Sequence, residues 1–391
     1  MPKPPGAPHV RVGAASFLSL SRGYWTGSTA LQAWSLTVLV AGLIVVNVDV
    51  QSRINTWNAA FFNALEQRRK GDLIELLWEF GVYVAAAGVI MVAVILSRMA
   101  LQVCLRKWIT ERVMARWYEN NTYVRLTQRT MGAETPEFRI ADDIRLAVDP
   151  LVDLSVGFLT AVLLAITFFA VLASVGGSIY VPALDMTIPS YFLIGAIGYA
   201  IVMSGISSIV GWPLIRAIET KNHREGIFRY ELTRLREGVA NGRSHDPGVG
   251  NILTTALKDV AHSWRRVVIG QSRVSGVASA NAVLVGVFPV MLSVPKYITG
   301  ELTLGAVMQL ATAFVQVQMA LNWIVDNFFR FAEWRASANR VGDFIAAMHV
   351  VSDDHIATGA AAPPLMTIAA LSMRDTEPPA VAAQPVPSAS V

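Results

Sequence analysis

At 391 residues, 53% hydrophobic and only 15% charged, the chain falls well short of the roughly 25% charge of soluble domains, so a membrane is its expected solvent. A net charge of +4 is read as basic residues crowding one face of a bilayer, not as a nucleic-acid surface. A single cysteine, Cys104, excludes a disulfide framework and a cysteine-rich metal site, and the opening MPKPPGAPHV lacks the apolar core of a cleavable signal peptide.

A helix needs about 20 mostly apolar residues to cross the hydrocarbon core. Six stretches fit, at about 31–48, 81–96, 151–175, 190–210, 274–294 and 304–329. The second is expected to run on as a helix beyond the membrane, and Pro289 is a possible kink in the fifth. Alternate loops hold 27 and 5 of the 32 Lys and Arg residues. That bias puts both termini and the loops at 97–150 and 211–273 on the cytoplasmic side. The expected fold is therefore an all-α integral membrane protein: a cytoplasmic N-terminal segment at 1–30, a six-helix transmembrane domain at 31–346, and a tail at 347–391.

The two large inner loops read as helical extensions. From Leu101 to Arg129 there is no Pro or Gly, and Leu105, Trp108, Ile109, Val113 and Trp117 recur at helical spacing. Thr135-Pro136 breaks that run, and EFRIADDIRLAVDPL then leads straight into the third span. In the fourth loop, Trp212-Pro213 marks the membrane exit and LIRAIETKNHREGIFRYELTRLREG reads as a charged helix. Charged helices this long are marginal alone in water and are expected to pack on something.

Four stretches carry a family resemblance: NTWNAAFFNALEQRRKGDLIELLWEFG; RKWITERVMARWYENNTYVRL with TPEFRIADDIRL; NHREGIFRYELTRLRE; and GELTLGAVMQLATAFVQVQMALNWIVDNFFRFAEWRASANRVGDF. Over about residues 31–346 the chain resembles the transmembrane domain of exporter-type ABC transporters. More narrowly, it resembles the SbmA/BacA peptide-antibiotic branch, with its cobalamin and bleomycin importers. Glu137-Phe138 stand where that branch usually has Asp-Gln. The resemblance implies two interlocked protomers around a cavity that opens alternately to each side. It also implies loop tips that dock on an ATPase, with Glu137, Arg139, Asp142, Asp143, Arg145, Arg229 and Glu231 as candidate coupling residues. The solute it implies is peptide-like or cobalamin-like.

No GxxxxGK[ST] phosphate loop occurs in the sequence, so no catalytic residue, metal or bound cofactor is expected, and ATP enters only through a partner subunit. PPLMTIAALSMRDTEPP is similar to the first strand of the family's ATPase domain, and an Ala/Pro/Ser-rich tail that reads as disordered follows it. Two energy sources stay open: an ATPase supplied in trans or lost by truncation, or a proton gradient. A non-transporting remnant or scaffold is a third reading. Proton coupling needs an acid whose pKa changes with conformation. The candidates are Asp326, Asp49, Glu66, Glu75 and Glu79; Asp326 has Arg330 four residues on, so a local ion pair is its competing role.

The sixth span carries two polar stripes, Gln309, Gln316, Trp323 and Asn327 on one face and Gln318, Asn322 and Asp326 on another. Amides are costly against lipid, so both stripes should face protein or a wet substrate path. Interhelical hydrogen bonding is the alternative use. His223 and His262 have no metal-ligand spacing, and the charged loops lack the aromatic interleaving of single-strand nucleic-acid binders.

Overall fold

The computed structural model describes residues 13–119, 122–124, 136–181, 185–240 and 249–358. Helix α1 (Gly13–Thr26) precedes α2 (Ala30–Glu66) and α3 (Lys70–Tyr118). A helical turn at Pro136–Phe138 and a π-helical turn at Arg139–Asp143 lead into α4 (Ile144–Gly176). Then come strands β1 (Ile179–Val181) and β2 (Met186–Ile188), followed by α5 (Tyr191–Ala240), α6 (Val249–Ile298), α7 (Leu304–Asp326) and α8 (Phe328–Thr358). Among the described residues six helices are long and apolar enough to cross a bilayer: α2, α3, α4, α5, α6, and α7 with its continuation α8.

Helix lengths exceed what a bilayer requires. At 1.5 Å per residue, the 50 residues of α5 and of α6 span about 75 Å each, far beyond a hydrocarbon core of about 30 Å. Pro150, Pro213, Pro289 and Pro295 all sit inside helices, so Pro213 marks no helix end at the expected membrane exit. Such prolines are tolerated in membrane helices, where neighbouring groups can take up the freed backbone acceptors; Ser293 Oγ donates back to the Pro289 carbonyl at 2.7 Å, one turn further on.

Two packed cores divide the molecule. One joins Phe17 and Tyr24 of α1, Leu105 and Ile109 of α3, Ile144 and Val148 of α4, and Val341 and Ile345 of α8. The other joins Phe168 and Leu172 of α4, Phe192 of α5, and Leu310, Phe314 and Val317 of α7. Helices α5 and α6 pack chiefly against each other. At the end opposite the arms, buried Lys296 donates to the carbonyl of Gly176, the last residue of α4, at 3.0 Å. A cation there complements the negative end of the helix dipole. Gly177 follows with φ 63°, a conformation that favours glycine, and lets the chain leave the helix.

The expected all-α membrane fold with six spanning helices is present, and one expectation needs correction. Beside the helices, β1 and β2 form a short antiparallel hairpin in which Ile179 faces Ile188 and Val181 faces Met186, favoured by β-branched and aromatic side chains. The helical run expected to Arg129 ends at Tyr118, and residues 125–135 lie outside the described residues. Helix α8 continues to Thr358. The expected strand remnant and residues 359–391 of the tail lie outside the described residues.

Helix α1 is also more than a leading segment. Its Ala14 N–H donates to Asn339 Oδ1 of α8 at 2.7 Å, and a Cβ placed on Gly342 would lie 2.0 Å from the Gly13 carbonyl oxygen. Only a glycine at 342 lets the two backbones approach this closely.

Candidate functional site

Polar side chains of α2 and α7 meet in an antiparallel ladder. At its far end Glu66 accepts the Leu304 backbone N–H at 3.2 Å, and Asn63 Oδ1 accepts the Gly305 N–H at 2.9 Å. These bonds satisfy amides at the start of α7 that have no partner within the helix. Further along, Asn55 Nδ2 donates to the Gln309 carbonyl at 3.0 Å and to Thr312 Oγ1 at 2.9 Å. Next, Gln316 Nε2 donates to Gln51 Oε1 at 3.0 Å. Asn55 is buried, and its Oδ1 has no protein partner.

The ladder decides the use of part of the polar stripes. Gln316 bonds α2, and buried Gln318 donates to the Ala196 carbonyl of α5 at 2.8 Å, so both make interhelical hydrogen bonds. Gln309 engages α2 through its backbone carbonyl. Trp323 and Asn327 instead line an apolar cavity of about 400 Å³ between α4, α7 and α8, together with Phe158, Phe328, Phe331 and Trp334. Gly157 makes room for the indole: a Cβ there would lie 2.7 Å from Trp323 Nε1. Asn322 is half-buried and Asp326 is exposed at the end of α7.

Charged residues gather where α3, α4 and α8 converge. Asp153 accepts from Gln102 Nε2 at 2.7 Å, Arg98 Nη1 at 3.1 Å and Arg330 Nη2 at 3.0 Å. Arg330 therefore serves Asp153, and the expected ion pair with Asp326 does not form. A second cluster lies beyond it. Asp143, fully buried, accepts from Arg139 on its own π-helical turn and from Arg340 of α8, the latter with Nε at 3.0 Å and Nη2 at 2.9 Å. Burial alone would raise the Asp143 carboxyl; hydrogen bonds from Arg340 and Arg139 outweigh it and hold the carboxyl below its ordinary value. Ser337 Oγ accepts from Arg340 at 2.9 Å and completes the cluster.

The remaining candidates are scattered. Asp142 lies 3.7 Å from Arg145 across one turn, and Glu137 is exposed beside them. Arg229 and Glu231 lie on the α5 arm, where Glu231 pairs locally with Arg234 at 3.7 Å. All five acids considered for proton coupling are exposed on the single chain. Asp49 pairs with Arg53 at 2.7 Å, Glu79 accepts from the Tyr83 hydroxyl at 2.6 Å, and Glu66 caps α7.

The sequence reading passed over Gln51, Asn63, Arg98, Asp153 and Arg340 as site residues. One signal was available for the first two: Gln51, Asn55, Asn58, Asn63 and Glu66 recur at three- to five-residue steps in a single apolar helix. Nothing in the sequence pairs Asp143 with an arginine 197 positions away.

Six helices long and apolar enough to cross a bilayer, helical arms extending beyond them, and a loop fastened to the last helix through ion pairs of buried Asp143 are the features of a multi-pass membrane protein. Residues 20–241 match the ABC transporter transmembrane region 2 family, and the chain belongs to it. It is similar to an uncharacterized ABC transporter ATP-binding protein of Synechocystis, 26% identical over 83% of this chain and 48% of the relative. It is also similar to the inner membrane ABC transporter ATP-binding protein YddA of Escherichia coli, 25% identical over 86% of this chain and 61% of the relative. A plant relative, ABC transporter D family member 2 (chloroplastic) of Arabidopsis thaliana, is 20% identical over 88% of this chain and 47% of its own length. The chain thus spans about half to three fifths of these curated relatives.

Proposed function

We propose that this chain is the membrane-spanning part of an ATP-driven transporter that works by alternating access, as a pair of copies, in a bacterial inner membrane with both termini cytoplasmic. The observation that carries the reading is the Asp143 cluster. It joins the π-helical turn of the inner loop to α8 through charged hydrogen bonds in a buried site. Helix α8 continues α7 after the single residue Asn327, and α7 lines the aromatic cavity and holds the ladder to α2. A push on the loop is thereby delivered to the walls of the cavity and to the α2–α7 seam. The relatives' description as ATP-binding proteins supports ATP as the source of that push.

Pairing is supported by the arms. Ile215, Ile218, Tyr230 and Leu232 of α5 stay exposed on a helix whose main neighbour is α6, an apolar surface that a second copy would cover. The cytoplasmic position of the arms follows from the 27-to-5 division of basic residues. The solute in this reading is bulky and polar with an aromatic group for the cavity. A peptide has those properties, as the resemblance to the SbmA/BacA branch suggests.

Vesicle transport tests the proposal. Proteoliposomes holding the chain together with its ATP-binding part should move a labelled tryptophan-containing peptide with ATP and not with ADP. Movement that ignores ATP and stops with a protonophore transfers the energy source to the proton gradient. No movement under either condition removes the transport reading.

A further inference from the structure

We propose that the cleft between α5 and α6, where these helices leave the apolar spans, binds the phosphate of an anionic phospholipid headgroup. The cleft has a volume of about 330 Å³, and Arg216, Arg266 and Arg273 line it with Pro213, Thr220 and Gly270. Arg266 and Arg273 are seven residues apart on α6, two turns of one face, and Arg216 approaches from α5. Gly270 sits between them in sequence and sets the spacing: a Cβ there would meet Leu214 Cδ1 at 3.0 Å. The two backbones come close enough at this point for both helices to contribute arginines to one cleft.

These three guanidiniums lack acidic partners. Among the described residues none of them forms an ion pair, and the one side-chain contact is Arg266 Nη2 with His262 Nε2 at 3.3 Å. Two nearby acids are used elsewhere: Asp259 pairs with Arg224 at 2.8 Å, and Glu225 lies 3.7 Å from Lys221 and accepts the Trp264 indole N–H at 3.0 Å. Glu219, three residues after Arg216 on α5, is exposed and forms no ion pair among the described residues. Three guanidiniums lining one cleft repel one another unless an anion joins them, and phosphate is an anion that their planar donor sets fit bidentately.

The depth of the cleft selects the source of that phosphate. Arg273 stands immediately before the fifth apolar stretch, and Pro213 follows the fourth by three residues, so the cleft opens at headgroup level. Exposed Trp212 sits beside it, the residue type that anchors at a membrane interface. Basic pockets between membrane helices at this depth are suited to anionic headgroups. The site stands on the position of the two spans alone and needs no assumption about the driving energy or the solute.

Native mass spectrometry and thermal unfolding of the full chain in nanodiscs test it. Discs of phosphatidylcholine alone are compared with discs containing about one third phosphatidylglycerol by design. The anionic discs should raise the unfolding midpoint and leave phosphatidylglycerol bound after release. Combining Arg216→Gln, Arg266→Gln and Arg273→Gln should weaken retention on the order of a hundredfold, at about fivefold per arginine. Arg265→Gln, outside the cleft, should leave retention unchanged. The corresponding triple Lys variant keeps the charge and should retain the lipid better than the Gln variant, which separates lost binding from lost folding. Equal retention by the wild type and the Gln variant overturns the proposal. So does inorganic phosphate that reproduces the full shift in phosphatidylcholine discs, because the ligand is then free phosphate.

Discussion

Asn55 of α2 donates to the backbone carbonyl of Gln309 on α7 at 3.0 Å, and neither residue is within 250 positions of the other in sequence. This bond and its neighbours make the α2–α7 seam a row of polar contacts inside an apolar domain. Interhelical hydrogen bonds in membranes contribute about 0.6 kcal/mol on average and up to about 1.7 kcal/mol. On the proposed alternating access, bonds of this size hold the seam and let it open without a large cost.

Replacing Asn55 with Leu removes its bonds to Gln309 and Thr312. Stability in nanodiscs should fall by about 1 kcal/mol. Thr312 keeps its own bond to the Met308 carbonyl at 2.8 Å, which limits the loss. A substitution that leaves the unfolding midpoint unchanged would show that the ladder contributes nothing to the closed seam.

Gly305→Ala strikes the ladder's far end. The added Cβ would lie 2.1 Å from the Ala59 carbonyl oxygen and 2.4 Å from Asn63 Oδ1. Helix α7 must move off α2 there, at a cost of about 1–3 kcal/mol. A cysteine pair at Glu66 and Leu304, joined by a short cross-linker in the parent chain, should cross-link several times more slowly in the variant.

Asp143→Ala leaves Arg139 buried beside an empty site and frees Arg340. Breaking a buried ion pair from one side typically costs about 3–5 kcal/mol. Asp143→Asn, which keeps acceptor oxygen and shape, should lose less. On the proposed function, both should reduce ATP-dependent peptide movement more than ATP hydrolysis, because the connection and not the engine is damaged. Equal loss of both activities would count against the coupling role.

The same cluster has a pH signature. The folded Asp143 carboxyl lies below its unfolded value. Its contribution to stability is therefore complete above the ordinary carboxylate range and is lost as pH falls through the folded value. Acid unfolding followed by circular dichroism should show a smaller pH dependence in Asp143→Asn than in the parent chain.

Trp323 is positioned by the absence of a side chain at 157. Gly157→Val should displace the indole from α4 and alter the cavity. On the proposed function, movement of a tryptophan-containing peptide should slow more than that of an alanine-substituted one. If both slow equally, the cavity does not select aromatic groups.

Much of the fold is legible in the order of residues. Six apolar stretches, the division of Lys and Arg between alternate loops, and unbroken helical periodicity fixed the spans and the long arms, because burial in lipid forces each segment to satisfy its own backbone. The boundaries were less legible: α5 runs through Pro213 and α8 continues to Thr358, because a helix inside a folded chain can continue past the local signals that would end it in isolation. Partner choice was not legible at all. Local spacing offered Arg330 to Asp326, and the folded chain gave it to Asp153 on α4. Gln316 and Gln318, two positions apart on α7, found partners on different helices. A hydrogen bond needs its atoms within about 3 Å, and only the packing of helices distant in sequence brings such atoms together.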